Sequence, residues 1–317
     1  MPSIQNKPEI LLVVDWPNWA LDSNVEGMRP YLEDVFTLTK KYQAEIREED
    51  VRKATIVVIF YFQQLSALPI LQNYREKILL GICSHVELAG PDRERKIDTI
   101  NTVVSGVFVI SKLLEREFEH TFTKPLFYTP MGVNTKFFFP KNRLKRGITS
   151  FTHKRKLRVG WAGSISNHGD TLRGLSDYII PAIQGLKNVE LKIAAREERW
   201  RSSEEMRNYY HSLDAYICAS KSEGTPNPCL EAAATGVPII TTRVGNMPEF
   251  IQDGINGFFI TRSVEDIRHK LTLLQTHRLK RIVMSYAATQ GSHSWDWERQ
   301  AENYRAMFEA LLKKRIS

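Results

Sequence analysis

Short apolar runs separated by amphipathic stretches recur along most of the chain. In the first half the runs are Ile10–Trp16, Lys53–Phe62, Lys77–Cys83, Gly106–Ser111 and Pro125–Thr129, each nearly continuous in Val, Ile, Leu and Phe at its centre. Such runs predict strands buried on both faces, as in a parallel sheet covered by helices. Helices are expected between them, around Asn24–Lys40, Gln64–Tyr74 and Lys112–His120. The segment Lys136–Lys156 breaks this rhythm: it is basic, contains Pro140 and Gly147, and has no apolar periodicity. A second series follows, with strands at Leu157–Gly163, Val189–Ala195, Ala215–Ser220 and Pro238–Arg243. Its helices are expected at Thr171–Leu186, Ser202–Leu213, from Asn227 onward, and at Met247–Gln252. The pattern predicts an α/β protein of two doubly wound domains, residues 1–140 and 157–293, joined by a linker over 141–156. Open sheets of this kind bind ligands beyond the carboxyl ends of their strands, so a cleft between the two domains is the expected site.

Composition narrows the class. Of 317 residues, 42% are apolar and 25% charged, which fits a globular chain and excludes a disordered or collagen-like one. Cys83, Cys218 and Cys229 stand far apart with no CxxC pair, so neither a disulfide framework nor a structural zinc site is expected. The longest apolar run, Ile56–Phe62, is far short of the roughly 20 residues a spanning helix needs. The opening MPSIQNKPEILLVVDW lacks a cationic start, so no secretory leader is expected and a cytoplasmic location follows. Charge is unevenly placed. Lys141, Arg143, Lys145, Arg146, Lys154, Arg155, Lys156 and Arg158 equal the whole net charge of +8, with no Asp or Glu among them. Elsewhere the signs balance, which argues against nucleic acid as a partner. The basic segment reads as a solvated connector, or as a strip beside an anionic ligand or the anionic headgroups of an inner membrane face.

The chemistry concentrates between Ala219 and Ile240, Ala-Ser-Lys-Ser-Glu-Gly-Thr-Pro-Asn-Pro-Cys-Leu-Glu-Ala-Ala-Ala-Thr-Gly-Val-Pro-Ile-Ile. A strand ends near Ser220 and a polar loop follows. Asn227 suits an N-cap and Pro228 the first helical position, while Gly236 and Pro238 mark the helix end. The amide end of this short helix suits an anionic diphosphate. Glu223 lies in the loop, and Glu231 eight positions later on the helix. Two carboxylates near one pocket can accept the paired hydroxyls of a ribose or hexose. The plainer alternative is that Glu231 complements the helix dipole and Glu223 caps a turn.

The stretch from Ser220 to Phe258, including Gly245-Asn-Met-Pro-Glu-Phe-Ile-Gln-Asp-Gly-Ile-Asn-Gly-Phe258, resembles the nucleotide-sugar half of GT-B-fold glycosyltransferases, specifically the retaining family four (group 1). Glu223 and Glu231 match that family's E-x(7)-E motif. Tyr128-Thr-Pro-Met-Gly-Val-Asn-Thr-Lys-Phe-Phe-Phe-Pro140 resembles its interdomain segment, and Gly106–Ser111 the strand before it. Ser294-Trp-Asp-Trp-Glu298 with the following helix, residues 294–317, resembles the tail that crosses back to the first domain.

The resemblance implies transfer of a sugar from a nucleoside diphosphate sugar to a carbohydrate, lipid-linked or small-molecule hydroxyl acceptor, with anomeric configuration retained, in polysaccharide or glycolipid biosynthesis. It casts Glu231 on the donor ribose and Glu223 beside the donor sugar, with Gly224, Thr225 and Asn227 supplying further contacts. Gly163 and Ser164 lie in a glycine-containing loop that suits close approach to phosphates. Family members often hold the diphosphate with an Arg and a Lys. Here Trp161 stands where the Arg is expected; Arg173 is the candidate for the second basic group, at a longer spacing, and Arg196 is a candidate substitute or a contact to the base edge. His85 is the candidate catalytic group of the first domain, with Glu87 a lesser one. Asp15, Trp16 and Trp19 are candidates for the acceptor side, the Trp rings stacking on a sugar or packing a core edge. No D-x-D triplet occurs, so neither a metal nor another cofactor is expected. A non-catalytic nucleotide-sugar-binding protein and a GT-B epimerase or phosphorylase are the alternatives.

Overall fold

Parallel strands dominate a computed structural model that describes residues 7–141, 155–166 and 170–316. The chain divides into two compact units, residues 1–132 with 297–317, and residues 133–296.

In the first unit six strands form one parallel sheet. They are β1 (Glu9–Val14), β2 (Thr37–Tyr42), β3 (Ile56–Ile59), β4 (Ile78–Ile82), β5 (Gly106–Val109) and β6 (Leu126–Tyr128). Their order is β2-β1-β3-β4-β5-β6, with Ile10 opposite Ile56 and Leu80 opposite Val107. The central strands are fully buried, which is why their sequences are apolar without alternation. The helix Trp297–Ile316 belongs to this unit and sends Trp297, Ala301, Tyr304, Met307, Phe308 and Leu311 into its core. Phe308 meets Phe36 edge-on, and the Tyr304 hydroxyl donates to the Thr129 carbonyl at 3.1 Å.

In the second unit five strands repeat the same winding. They are β7 (Leu157–Gly163), β8 (Val189–Ala195), β9 (Ala215–Cys218), β10 (Ile239–Thr241) and β11 (Gly257–Phe259), in the order β11-β10-β9-β7-β8. In both sheets the chain first crosses to one side of the opening strand and then reverses to the other. The reversal falls between β1 and β3 in the first unit and between β7 and β9 in the second. Loops diverge at such a point and leave a crevice beyond the strand ends. Both units thus have the Rossmann-like architecture expected from the sequence.

Several local expectations are corrected. The helix expected over Asn24–Lys40 ends at Met28. A 3-10 turn containing Pro30 follows, and Thr37–Tyr42 is the edge strand β2. An edge strand is covered on one side only, so its sequence TLTKKY carries no apolar run. The helix expected over Gln64–Tyr74 spans Phe62–Ala67 and stops before Pro69, which has no N–H to continue it. The one expected over Thr171–Leu186 is split at Gly174, whose φ is 70°. Trp161, placed in the sequence at a diphosphate position, lies in an apolar core with Leu175 and Ile179. The units divide at Gly132 instead of in the basic segment, because Val133 and Phe138 pack with Tyr210, Leu213 and Leu230 of the second unit. The far boundary lies at Asp296, whose carboxylate accepts from the Thr135 amide at 2.9 Å. Most of the basic segment, 142–154, lies outside the described residues. Arg155, at its end, pairs with the buried carboxylate of Asp214, which burial opposes and Arg155 stabilises as the charged form.

Candidate functional site

Six of the sequence candidates, Arg173, Glu223, Gly224, Thr225, Asn227 and Glu231, lie on the loop and helix after β9 or on the short helix packed against that loop. Strand β9 ends at Cys218 and the loop Ala219–Pro226 carries Glu223. A short helix, Asp170–Arg173, packs on this loop, with the Lys221 amide donating to the Leu172 carbonyl at 2.8 Å. That contact brings Arg173 to Glu223: the guanidinium Nη1 is ion-paired with Glu223 Oε1, which also accepts from the Ser220 hydroxyl at 2.7 Å. Burial works against the Arg173 charge, but the adjoining carboxylate more than restores it and raises its pKa.

The helix Asn227–Ala234 follows, with Pro226 rather than Asn227 at its cap position. Gly236 ends it in the left-handed conformation, at φ 77°. Glu231 lies within this helix, half-buried, and accepts from the Tyr210 hydroxyl at 2.6 Å. Burial raises the Glu231 pKa, with the Tyr210 bond opposing it. The loop after β10 presses against the Glu223 loop. Gly245 has φ 51°, and a Cβ there would stand 2.0 Å from the Gly224 carbonyl oxygen. Only glycine fits that combination of left-handed backbone and close approach. Around this contact the hydroxyls of Ser222 and Thr225 and both amide atoms of Asn246 are buried without a hydrogen-bond partner among the described residues. Buried polar groups are normally paired, so such a cluster marks a place prepared for a polar ligand or ordered water.

The remaining candidates of this unit sit at the ends of β7 and β8. Gly163 closes β7 and its carbonyl accepts from the Arg196 amide at 3.0 Å. The Ser164 hydroxyl donates to Glu197 Oε1 at 2.7 Å. The same oxygen accepts from the amides of Ile165 and Ser166, each at 2.9 Å, and from the Ser166 hydroxyl at 2.7 Å. These bonds hold the exposed Glu197 carboxyl far below the usual carboxylate range.

His85, Asp15, Trp16 and Trp19 belong to the first unit. Trp16 is 63% exposed and Trp19 half-buried. Asp15 follows β1 directly and acts, with Glu87, on Tyr61 and Cys83. Burial, then these two charges, pushes the Tyr61 hydroxyl up to about 12. His85 pairs through Nδ1 with Glu117. Glu87 is buried and spans two strand ends, accepting from the Cys83 amide at 2.7 Å and the Phe62 amide at 3.0 Å. Burial pushes its pKa up to about 7 against those bonds. Gln64 plays a similar part at the β1/β3 reversal, donating to the Val13 carbonyl at 2.9 Å and accepting from the Phe60 amide at 2.7 Å.

Glu197, Tyr210, Ser222, Asn246 and Gln64 were not identified from sequence. The signal nearest to them was the Gly245-Asn246 pair; a lone Glu, Tyr or Gln in a loop or helix carries none. Among the described residues no group of three His, Cys, Asp or Glu side chains is placed to hold a metal ion. No described helix is long and apolar enough to cross a membrane.

Comparison with known proteins places this geometry. The family described as "Glycosyl transferases group 1" matches residues 158–277. Sulfoquinovosyl transferase SQD2 of Arabidopsis thaliana is 31% identical over 122 residues, 36% of this chain and 24% of that protein. D-inositol 3-phosphate glycosyltransferase of Saccharomonospora viridis is 26% identical over 151 residues, 47% of this chain and 33% of that protein. The matches thus span about a quarter to a third of these relatives. Among solved structures, sucrose-phosphate synthase from Thermosynechococcus elongatus superposes with a TM-score of 0.74 at 12% identity, covering 97% of this chain and 100% of that one. HepE of Anabaena, in complex with UDP and glucose, gives 0.73 at 11% identity, over 95% and 99% of the two chains. Residues 158–277 are therefore similar to the group 1 glycosyl transferases, and the chain has the GT-B fold of the solved structures it superposes on.

Proposed function

We propose that this protein transfers a sugar from a nucleoside diphosphate sugar to a hydroxyl acceptor, with retention of anomeric configuration, in polysaccharide or glycolipid biosynthesis. One observation carries the reading. The loops after β9 and β10 touch where Gly245 meets Gly224, and beside that contact stand the Arg173–Glu223 pair and the buried, unpartnered Ser222 and Thr225 hydroxyls and Asn246 amide. A guanidinium beside hydroxyl- and amide-bearing side chains suits a ligand that is anionic at one end and polyhydroxylated at the other. HepE has been solved with UDP-glucose, which makes uridine the first base to test.

In this reading Arg173 opposes the negative charge that develops as the nucleoside diphosphate leaves, the electrostatic role such a step requires. Glu223, set by Arg173 and Ser220, orients the donor sugar. Glu231, held by Tyr210, receives ribose hydroxyls. Gly224, Thr225, Asn227, Gly163, Ser164 and Arg196 complete the donor side. His85, Asp15, Trp16 and Trp19 serve the acceptor and the reacting sugar. The reaction as proposed draws on side chains and backbone amides, with no metal or other cofactor.

The test pairs product analysis with substitution. Purified protein with UDP-glucose and a panel of hydroxyl acceptors should release UDP only when an acceptor is present. Glu231→Ala should weaken UDP binding by roughly 1–3 kcal/mol, the cost of leaving hydroxyl partners unpaired. Glu223→Ala should lower turnover more than UDP affinity. Full activity in both variants overturns the site; tight donor binding without turnover on any acceptor favours a non-catalytic binding protein.

A further inference from the structure

The turn after β7 has the form of an anion nest, and a side chain of the protein itself fills it. Four donors converge on a single oxygen: the Ile165 and Ser166 amides and the Ser164 and Ser166 hydroxyls, all within 2.9 Å of Glu197 Oε1. Consecutive amides turned toward one point form a concavity of fixed partial positive charge, the arrangement with which loops hold phosphate oxygens. It sits at the carboxyl end of β7, beside the sheet reversal where doubly wound folds seat their ligands. Four donors on one oxygen exceed what a loop clamp needs, and Glu197 is exposed, so its departure costs no buried packing.

We propose that Glu197 is an internal stand-in for a phosphate oxygen: it occupies the Ser164–Ser166 nest in the donor-free protein, and a nucleoside diphosphate displaces it. The inference rests on the donor reading given above and adds a regulatory element to that site. The nest does not depend on the Glu197 side chain for its attachment, because the Arg196 amide joins β8 to the Gly163 carbonyl through backbone alone. Binding then requires the fraction of molecules in which Glu197 has swung out. The observed affinity is the intrinsic one multiplied by that fraction. Removing the carboxylate therefore tightens binding, whereas removing a group that only braces the loop weakens it.

The experiment titrates UDP, GDP, ADP and inorganic pyrophosphate calorimetrically into the full-length wild type and Glu197→Ala, with uridine as the phosphate-free control. The expected result is a gain of about tenfold in affinity for the nucleoside diphosphate that binds, comparable to one net charge-assisted hydrogen bond. Pyrophosphate should gain in parallel, with uridine unchanged. If the wild type binds a nucleoside diphosphate and Glu197→Ala binds it equally or more weakly, the gate is overturned and the donor site stands. If neither protein binds any of the three nucleoside diphosphates, the donor reading falls and the gate with it. Should Glu197→Ala lack a cooperative melting transition, Glu197→Gln decides. It keeps an acceptor oxygen for the loop but loses the charge, and a gate requires it to bind more tightly than wild type.

Discussion

Replacing Gly245 by alanine isolates the packing on which the candidate donor site depends. The new methyl would lie 2.0 Å from the Gly224 oxygen, 2.8 Å from its carbonyl carbon and 3.1 Å from the Glu223 oxygen, all of them backbone atoms. Reaching a tolerable contact near 3.0 Å requires the Glu223–Gly224 backbone to retreat by about 1 Å. The Ser220–Glu223 bond is 2.7 Å long, so a retreat of that size takes it out of hydrogen-bond range. Losing a bond to a charged group costs about 1.5–3 kcal/mol. The left-handed backbone at φ 51° adds about 1–2 kcal/mol for any residue with a Cβ. The total is about 2.5–5 kcal/mol, or at least about 5 °C of melting temperature for a unit the size of residues 133–296. Gly254→Ala is the control: its φ of 77° brings the same backbone cost, but nothing lies within 4 Å of the added methyl. Melting by differential scanning calorimetry and UDP titration should separate the two. Gly254→Ala loses about 1–2 kcal/mol and keeps its UDP affinity, while Gly245→Ala loses more stability and at least tenfold in affinity. Equal losses of stability with unchanged affinity in both would refute the account of how the β9 and β10 loops support one another.

Two further predictions concern the first unit. Glu87 has a folded pKa of about 7 against an ordinary 4.5, so the native state binds the proton more tightly than the unfolded chain. Its contribution to stability is complete below pH 4.5 and is lost as pH rises through 7, up to about 3 kcal/mol. Glu87→Gln should flatten the fall in urea midpoint between pH 5 and pH 8, and an unchanged slope would remove Glu87 as its source. At Gly27 a Cβ would stand 2.2 Å from Trp297 Nε1, and the indole, 3% exposed, has no room to turn. Gly27→Ala should cost about 1–3 kcal/mol by overpacking and expose the Trp297–Ile316 helix to limited proteolysis. A digestion pattern identical to wild type would contradict that docking.

The strands legible in the sequence are those whose surroundings are uniform. β1, β3, β4 and β5 are sealed on both faces, so Val, Ile and Leu at every position announce them. β2 and β11 are edge strands whose sequences, TLTKKY and GFF, carry no run of Val, Ile and Leu, and both were missed. The Ala219–Ile240 loop and helix were legible because Gly236, Pro226 and Pro228 constrain the backbone locally, and the paired glutamates lie at a short fixed spacing within that frame.

What the sequence alone determined is therefore the winding of two α/β units, the loop that carries Glu223, and the helix that carries Glu231. What only the tertiary structure decided is which groups meet them. Tyr210 reaches Glu231 from 21 positions away, Arg173 reaches Glu223 from 50, and Glu197 reaches Ser164 from 33. A strand's apolar run is imposed by burial along its own length and is written residue by residue. A hydrogen bond between distant loops needs only one ordinary polar side chain at each end, and nothing marks that side chain until the fold brings its partner within 3 Å.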